Sequence, residues 1–169
     1  MIEATERPEN NADANPRALI SWRDVSAALD ELIAKTTRTL DVFDQSLALQ
    51  DWGSKARCEA LKVAMIARHV RVRMLLVDTQ LVTAQLPRLL QILKTRGHQM
   101  SIMAAPEGAF PASNFVVADQ QHLLFRPNSV QSTGSLNFDN SYKSTGYAQT
   151  FEVMWQQCGR RVFPEAFGL

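Results

Sequence analysis

The chain has 169 residues, a formal net charge of +1, 46% hydrophobic and 21% charged residues, which fits one folded domain and excludes a wholly disordered chain. The charge is unevenly placed: residues 1–51 hold five Lys/Arg against ten Asp/Glu, residues 52–100 nine against two, and residues 101–169 four against five. The middle third is therefore a basic block of the kind that attracts phosphates when its charges share one surface, and a set of solvated helix faces when they do not.

In chain order, residues 1–17 are polar, with Pro8, Pro16 and several acids, and are expected to form a flexible tail ahead of one domain over 18–169. Ser21 opens a helix with the start Ser-Trp-Arg-Asp, and Trp22, Val25, Leu29, Leu32 and Ile33 line one face. TLDVF, 39–43, reads as a strand. A loop follows, in which Asp51 or Ser54 caps a second helix over 54–68. VRVRMLLVD, 70–78, alternates and then turns wholly apolar, as a strand entering a buried sheet does. Leu86, Leu89, Leu90 and Leu93 mark a third helix, ended by Gly97, and 99–105 is a further strand. This alternation predicts crossovers and a largely parallel sheet covered by helices. After the loop PEGAFPAS, NFVVAD and HLLFRP form a hairpin around Gln120 and Gln121. QSTGSLNFD is polar but strand-compatible, and TGYAQTFEVMWQQC is a final helix carrying Tyr147, Phe151, Met154, Trp155 and Cys158. The fold class is thus α/β with a mixed, mostly parallel sheet.

Cys58 and Cys158 make neither a disulfide framework nor a zinc set, and read as reduced thiols. No stretch has the length of a membrane span, and the N-terminus lacks a secretory pattern. The expectation is a cytoplasmic protein without a metal site or cofactor. His69 and His98 stand at strand entrances without metal-ligand spacing.

Over residues 36–158 this order resembles one half of the phospholipase D superfamily. CEALKVAMIARHVRVRMLLVDT is similar to that family's alanine-rich helix, basic turn and buried strand. NFVVADQQHLLF is similar to its catalytic strand and hairpin, and TGYAQTFEVMWQQC to its closing helix. The family motif is His, any residue, Lys, four residues, Asp. Its His is the nucleophile, its Lys holds the phosphate and its Asp supports the geometry. Counting back from Asp119 places Asn114 at the Lys position and Ala112 at the His position. The Gly-Ser pair expected soon after the Asp is replaced by Arg126, Pro127, Asn128 and Ser129, and Gly134-Ser135 come later than the usual spacing. A methyl group cannot attack phosphorus and an amide carries no charge. The resemblance therefore implies a degenerate, catalytically silent bacterial branch that acts as a binding or assembly module. Single halves of this family pair, which implies a homodimer.

A ligand, a phosphate-containing molecule or a protein partner, is expected in a cleft formed by the 106–114 loop, Asp119 and the segment near Arg126. Arg126, Lys143 and His122 are the candidate anion-binding groups. An Asp119 remote from that mouth would count against the family assignment. A second reading is a divergent phosphodiesterase or nuclease in which His122 replaces the lost His. A third is nucleic-acid binding through a basic patch of Arg68, Arg71 and Arg73, to which Lys62, Arg88, Lys94 and Arg96 could add, although interleaved aromatics are lacking. For Asp119 the structural reading is a turn residue. For Phe151 and Trp155 it is core, and for Ser132–Ser135 a turn or strand edge.

Overall fold

The computed structural model describes residues 16–105 and 113–164; the expected tail over 1–15, most of the 106–114 loop and the position of Ala112 lie outside the described residues. Helix α1 (Trp22–Lys35) begins as its sequence implies. Ser21 Oγ accepts from Asp24 N, and the Asp24 carboxylate accepts from Ser21 N, both at 3.1 Å, so two orphan amides are satisfied reciprocally. Strand β2 (Thr39–Asp44) leads to α2 (Lys55–Ala67), capped by Ser54, and then to β3 (Arg71–Leu76). Where the leucine spacing suggests one helix, there are two, α3 (Gln80–Gln85) and α4 (Pro87–Thr95). Pro87 cannot continue a helix from within but suits a first turn, so the chain breaks at Leu86 and restarts. Strand β4 (Met100–Ala104) completes the alternating part.

The hairpin β5 (Asn114–Ala118) and β6 (His122–Arg126) follows, then β7 (Gly134–Asn137) and α5 (Ser141–Gln157), which begins at Ser141 rather than Thr145. Two short strands carry no readable period: β1 (Arg17–Leu19) and β8 (Arg160–Arg161). Arg17, assigned to the tail from sequence, is instead paired with Leu136 of β7.

The eight strands form one mixed sheet in the order β1-β7-β6-β5-β2-β3-β4-β8. Parallel pairing is confined to β2-β3-β4; the other pairings are antiparallel. The chain leaves β2 on one side for β3 and β4, then returns to β2's other side as β5. The junction of β2 and β5 is therefore a topological switch point, the place where open α/β sheets bind ligands outside their carboxyl ends. One face is covered by α1, α2 and α4 over Leu40, Val42, Met74, Val116 and Leu124. The other is covered by α5, where Phe151 and Tyr147 pack on Phe43, Phe115 and Phe125. Phe151 is core, and Trp155 is half-buried and stacked on it. Among the described residues no helix is long and apolar enough to cross a membrane.

Candidate functional site

Three polar side chains meet in one row at the carboxyl end of β2, on the face covered by α1. Asn114 is paired with Arg126 in the β5–β6 ladder, and β2 places Asp44 beside Asn114. The Asn114 amide donates to Asp44 Oδ1, which also accepts from Gln45 N at 2.7 Å. Arg126 Nη2 stands 3.8 Å from the same oxygen, with side-chain exposures of 0% for Arg126 and 6% for Asp44. Burial pushes the Asp44 carboxyl up to about 6, outweighing the pull of the Arg126 charge.

Arg126 is fixed from three directions. Its Nη1 donates to the carbonyls of Ser129 at 3.1 Å and Gln131 at 2.8 Å. Its guanidinium lies 5.0 Å from the ring centroid of Trp22. Nε and Nη2 have no hydrogen-bond partner among the described residues. This arginine is buried beneath the 127–133 loop, so the expected surface cation is absent there. Gly134 serves the same corner: a Cβ at this position would strike the Phe125 carbonyl and the Arg126 side chain, so the glycine permits the close approach of β7 to β6.

Asp119 is at the opposite end of the sheet. It occupies the β5–β6 turn with φ 55°, followed by Gln120 with φ 58°, the left-handed pair that tight hairpin turns of the primed type use. Its carboxylate accepts from Thr37 N at 2.8 Å, Thr37 Oγ1 at 3.1 Å, Arg38 N at 2.6 Å and Thr39 N at 2.9 Å. Burial works to raise this carboxyl, but the backbone donors of Thr39, Thr37 and Arg38 prevail and hold it below the usual range. Asp119 thus fastens the start of β2 to the hairpin.

The expected cleft joining the 106–114 loop, Asp119 and Arg126 is corrected accordingly. Asp119 and Arg126 are separated by the length of the hairpin. His122 pairs with Ala118 and shares the Asp119 end. Its Nδ1 accepts from Asp139 N at 3.0 Å, and burial lowers its pKa, so it is a neutral acceptor. Lys143, in the first turn of α5, is exposed at that same end, where Asn140 N donates to Gln121 O. Arg126, Lys143 and His122 therefore do not converge on one anion.

The basic patch is also divided. Arg68 donates from Nε to Thr36 O at 2.8 Å and from Nη2 to Ile33 O at 3.0 Å, closing the C-terminus of α1. Arg73 holds both Asp41 oxygens, at 2.9 and 3.0 Å, and Glu152 at 2.8 Å, with its guanidinium over Phe151 and Trp155. It fastens α5 to the sheet. Of the three, only Arg71 is exposed and without an ion pair among the described residues.

Two features of this site escape sequence reasoning. Asp44 ends an apolar strand and reads as the start of a loop, and Trp22 reads as a helix-face residue rather than the lid of a buried arginine. Beside the row, a cavity of about 620 Å³ is lined by Gln45, Asp78, Thr79, Gln80, Ala105 and Arg160, among others. No group of three or more His, Cys, Asp or Glu able to hold a metal ion occurs among the described residues.

Comparison with curated proteins gives no match. Several solved structures share the fold. TrmBL2, an archaeal chromatin protein whose structure is described as showing a novel mode of DNA binding, superposes with a TM-score of 0.65 at 11% identity, over 95% of this chain and 56% of that one. This chain thus spans little more than half of TrmBL2. Nuc from Salmonella typhimurium, a phospholipase D family member, gives a TM-score of 0.59 at 11% identity, over 81% of this chain and 90% of that one. NucT from Helicobacter pylori gives 0.58 at 9% identity, over 86% and 98%. The remote position of Asp119 does not disturb this assignment. A family model described as a domain of unknown function, DUF7931, matches residues 21–162. With a phospholipase D-like sheet and helices of its own sequence type, the chain belongs to the DUF7931 family.

Proposed function

We propose that this chain is a catalytically silent phospholipase D-like domain that works as a binding or assembly module. The observation that carries this reading is Asn114. At the position where the resemblance puts a phosphate-holding Lys, a buried amide donates to Asp44. The row supplies no ammonium, its one guanidinium is buried under Trp22 and the 127–133 loop, and a carboxylate occupies its centre. Such a site repels a phosphodiester rather than stabilising its transition state. Ala112, at the nucleophile position, has no group that can attack phosphorus. The expected result is that purified protein hydrolyses bis-p-nitrophenyl phosphate no faster than buffer. Hydrolysis that disappears in His122→Ala would instead establish a rebuilt phosphodiesterase site. The same resemblance supports a homodimer, which light scattering at several concentrations measures directly.

A second reading, association with nucleic acid, is favoured by the charge left over in the basic middle third. Arg57, Lys62, Arg68 and Arg73 are engaged within the fold, whereas Arg71 is not paired with any described carboxylate. The fold shared with TrmBL2 agrees with this reading without establishing it.

A further inference from the structure

The turns that begin the three parallel strands lie side by side at the end of the sheet remote from Asp44. Arg71 N donates to Arg38 O at 2.9 Å, Val72 N donates to Gln99 O at 2.8 Å, and Gln99 N donates to Arg96 O at 2.8 Å. Arg38, Arg71 and the Arg96–His98 turn therefore cross three adjacent strands, spaced about 4.8 Å apart. Lys143 lies at the same end, because the start of α5 is tied to the hairpin turn at Gln121. Arg38, Arg71, His98 and Lys143 are exposed. Among the described residues none of Arg38, Arg71, Arg96 and Lys143 forms an ion pair.

The acids that could neutralise this end are committed elsewhere. Asp119 is saturated by Thr37, Arg38 and Thr39. Asp139 faces Lys35 at 3.6 Å. The result is an edge with an excess of unpaired cations in a nearly neutral protein, on the side away from the silent cleft.

We infer that this edge is a nucleic-acid-binding surface that takes the phosphate backbone on Arg38, Arg71, Arg96 and Lys143. The inference rests on the second reading above and adds the place and the groups. Repeated phosphates suit it because the cations form a row rather than a pocket. An anionic membrane suits it less. Surface helices anchor through a continuous apolar stripe beside the cations. Here the exposed Ile66 and Tyr142 come from α2 and α5, on opposite faces of the sheet. Tyr142, next to Lys143, instead offers a ring on which a base can stack.

The test is fluorescence anisotropy with a labelled single strand of about 20 nucleotides and the matching duplex, from about 50 to about 200 mM salt. Wild type is expected to bind at least one probe, to release it intact, and to lose roughly 10- to 50-fold in affinity over that range, as two to three phosphate contacts require. Arg38→Glu/Arg71→Glu should weaken binding by at least about tenfold and flatten the salt dependence. The equal charge change Lys55→Glu/Arg88→Glu, at the opposite end of the molecule, should leave it unchanged. If the first pair fails to fold by circular dichroism, Lys143→Glu serves in its place, with a loss of roughly three- to fivefold expected. No binding by wild type, or binding only to vesicles of anionic lipid, overturns the nucleic-acid reading itself. Binding that survives the charge reversals at Arg38, Arg71 and Lys143 overturns the assignment of the surface while leaving that reading in place.

Discussion

Asp44 and Asp119 stand at opposite ends of one sheet and are treated in opposite ways. Asp119 receives four donors from Thr37, Arg38 and Thr39 and is held below the usual carboxylate range. Asp44 is buried with one amide, one backbone N–H and an arginine at 3.8 Å, and is pushed up to about 6. The first is a fastener, and the residue that matches the motif. The second matches no motif, yet lies at the switch point where a ligand would be met. The difference teaches that a surviving motif residue can persist for its architectural share of the old role, after the chemical share has gone.

The comparison breaks most sharply at Asp119. Asp119→Ala removes every acceptor of the Thr37–Thr39 backbone and leaves a β-carbon residue at positive φ without its local bonds. A loss of roughly 2–4 kcal/mol in urea unfolding is expected. Because the folded pKa of Asp119 lies below its unfolded value, its stabilisation is present above the unfolded pKa and fades as pH falls through the folded one. The Ala variant should therefore lose the corresponding part of the acid sensitivity. A loss under about 0.5 kcal/mol would show that the turn holds without the carboxylate.

Asp44 gives a smaller effect of opposite sign. Its folded pKa is raised to about 6, so its contribution is fully present below the unfolded value and is lost as pH rises through about 6. Wild-type stability should fall by about 1–3 kcal/mol between pH 4 and 7 on this account. Asp44→Asn should flatten that segment of the urea midpoint against pH. An unchanged profile would mean that Arg126 keeps the carboxylate charged throughout. Lys143→Ala is the smallest case, expected within about 0.5 kcal/mol of wild type, since Lys143 is exposed and only its backbone N–H serves the helix cap.

Much of this contrast could be counted but not weighed in the sequence. Asn114 and Asp119 are five residues apart on an extended segment, a separation of about 16 Å, so the motif's two ends could never share one phosphate. The arginines illustrate the other limit. Arg68, Arg71 and Arg73 look equivalent in VRVRM and the turn before it, but Arg68 meets the carbonyls ending α1 and Arg73 meets Asp41 and Glu152. Those partners are 32 and 79 residues away from their arginines, and no local pattern announces them.

What the sequence determined by itself was everything with a period or a local bond: the capping of α1, the buried strands β2 and β3, the hairpin of β5 and β6, the apolar face of α5, and the replacement of His and Lys by Ala112 and Asn114. Tertiary structure alone decided which charges remained free. It paired β1 with β7 and β8 with β4, divided α3 from α4 in space, buried Arg126 under Trp22, and set Arg38, Arg71 and Arg96 along one edge. The physical reason is that periodicity reports which side of an element faces the core. The fate of a charge depends on which distant backbone or carboxylate the completed sheet brings within a few ångströms of it.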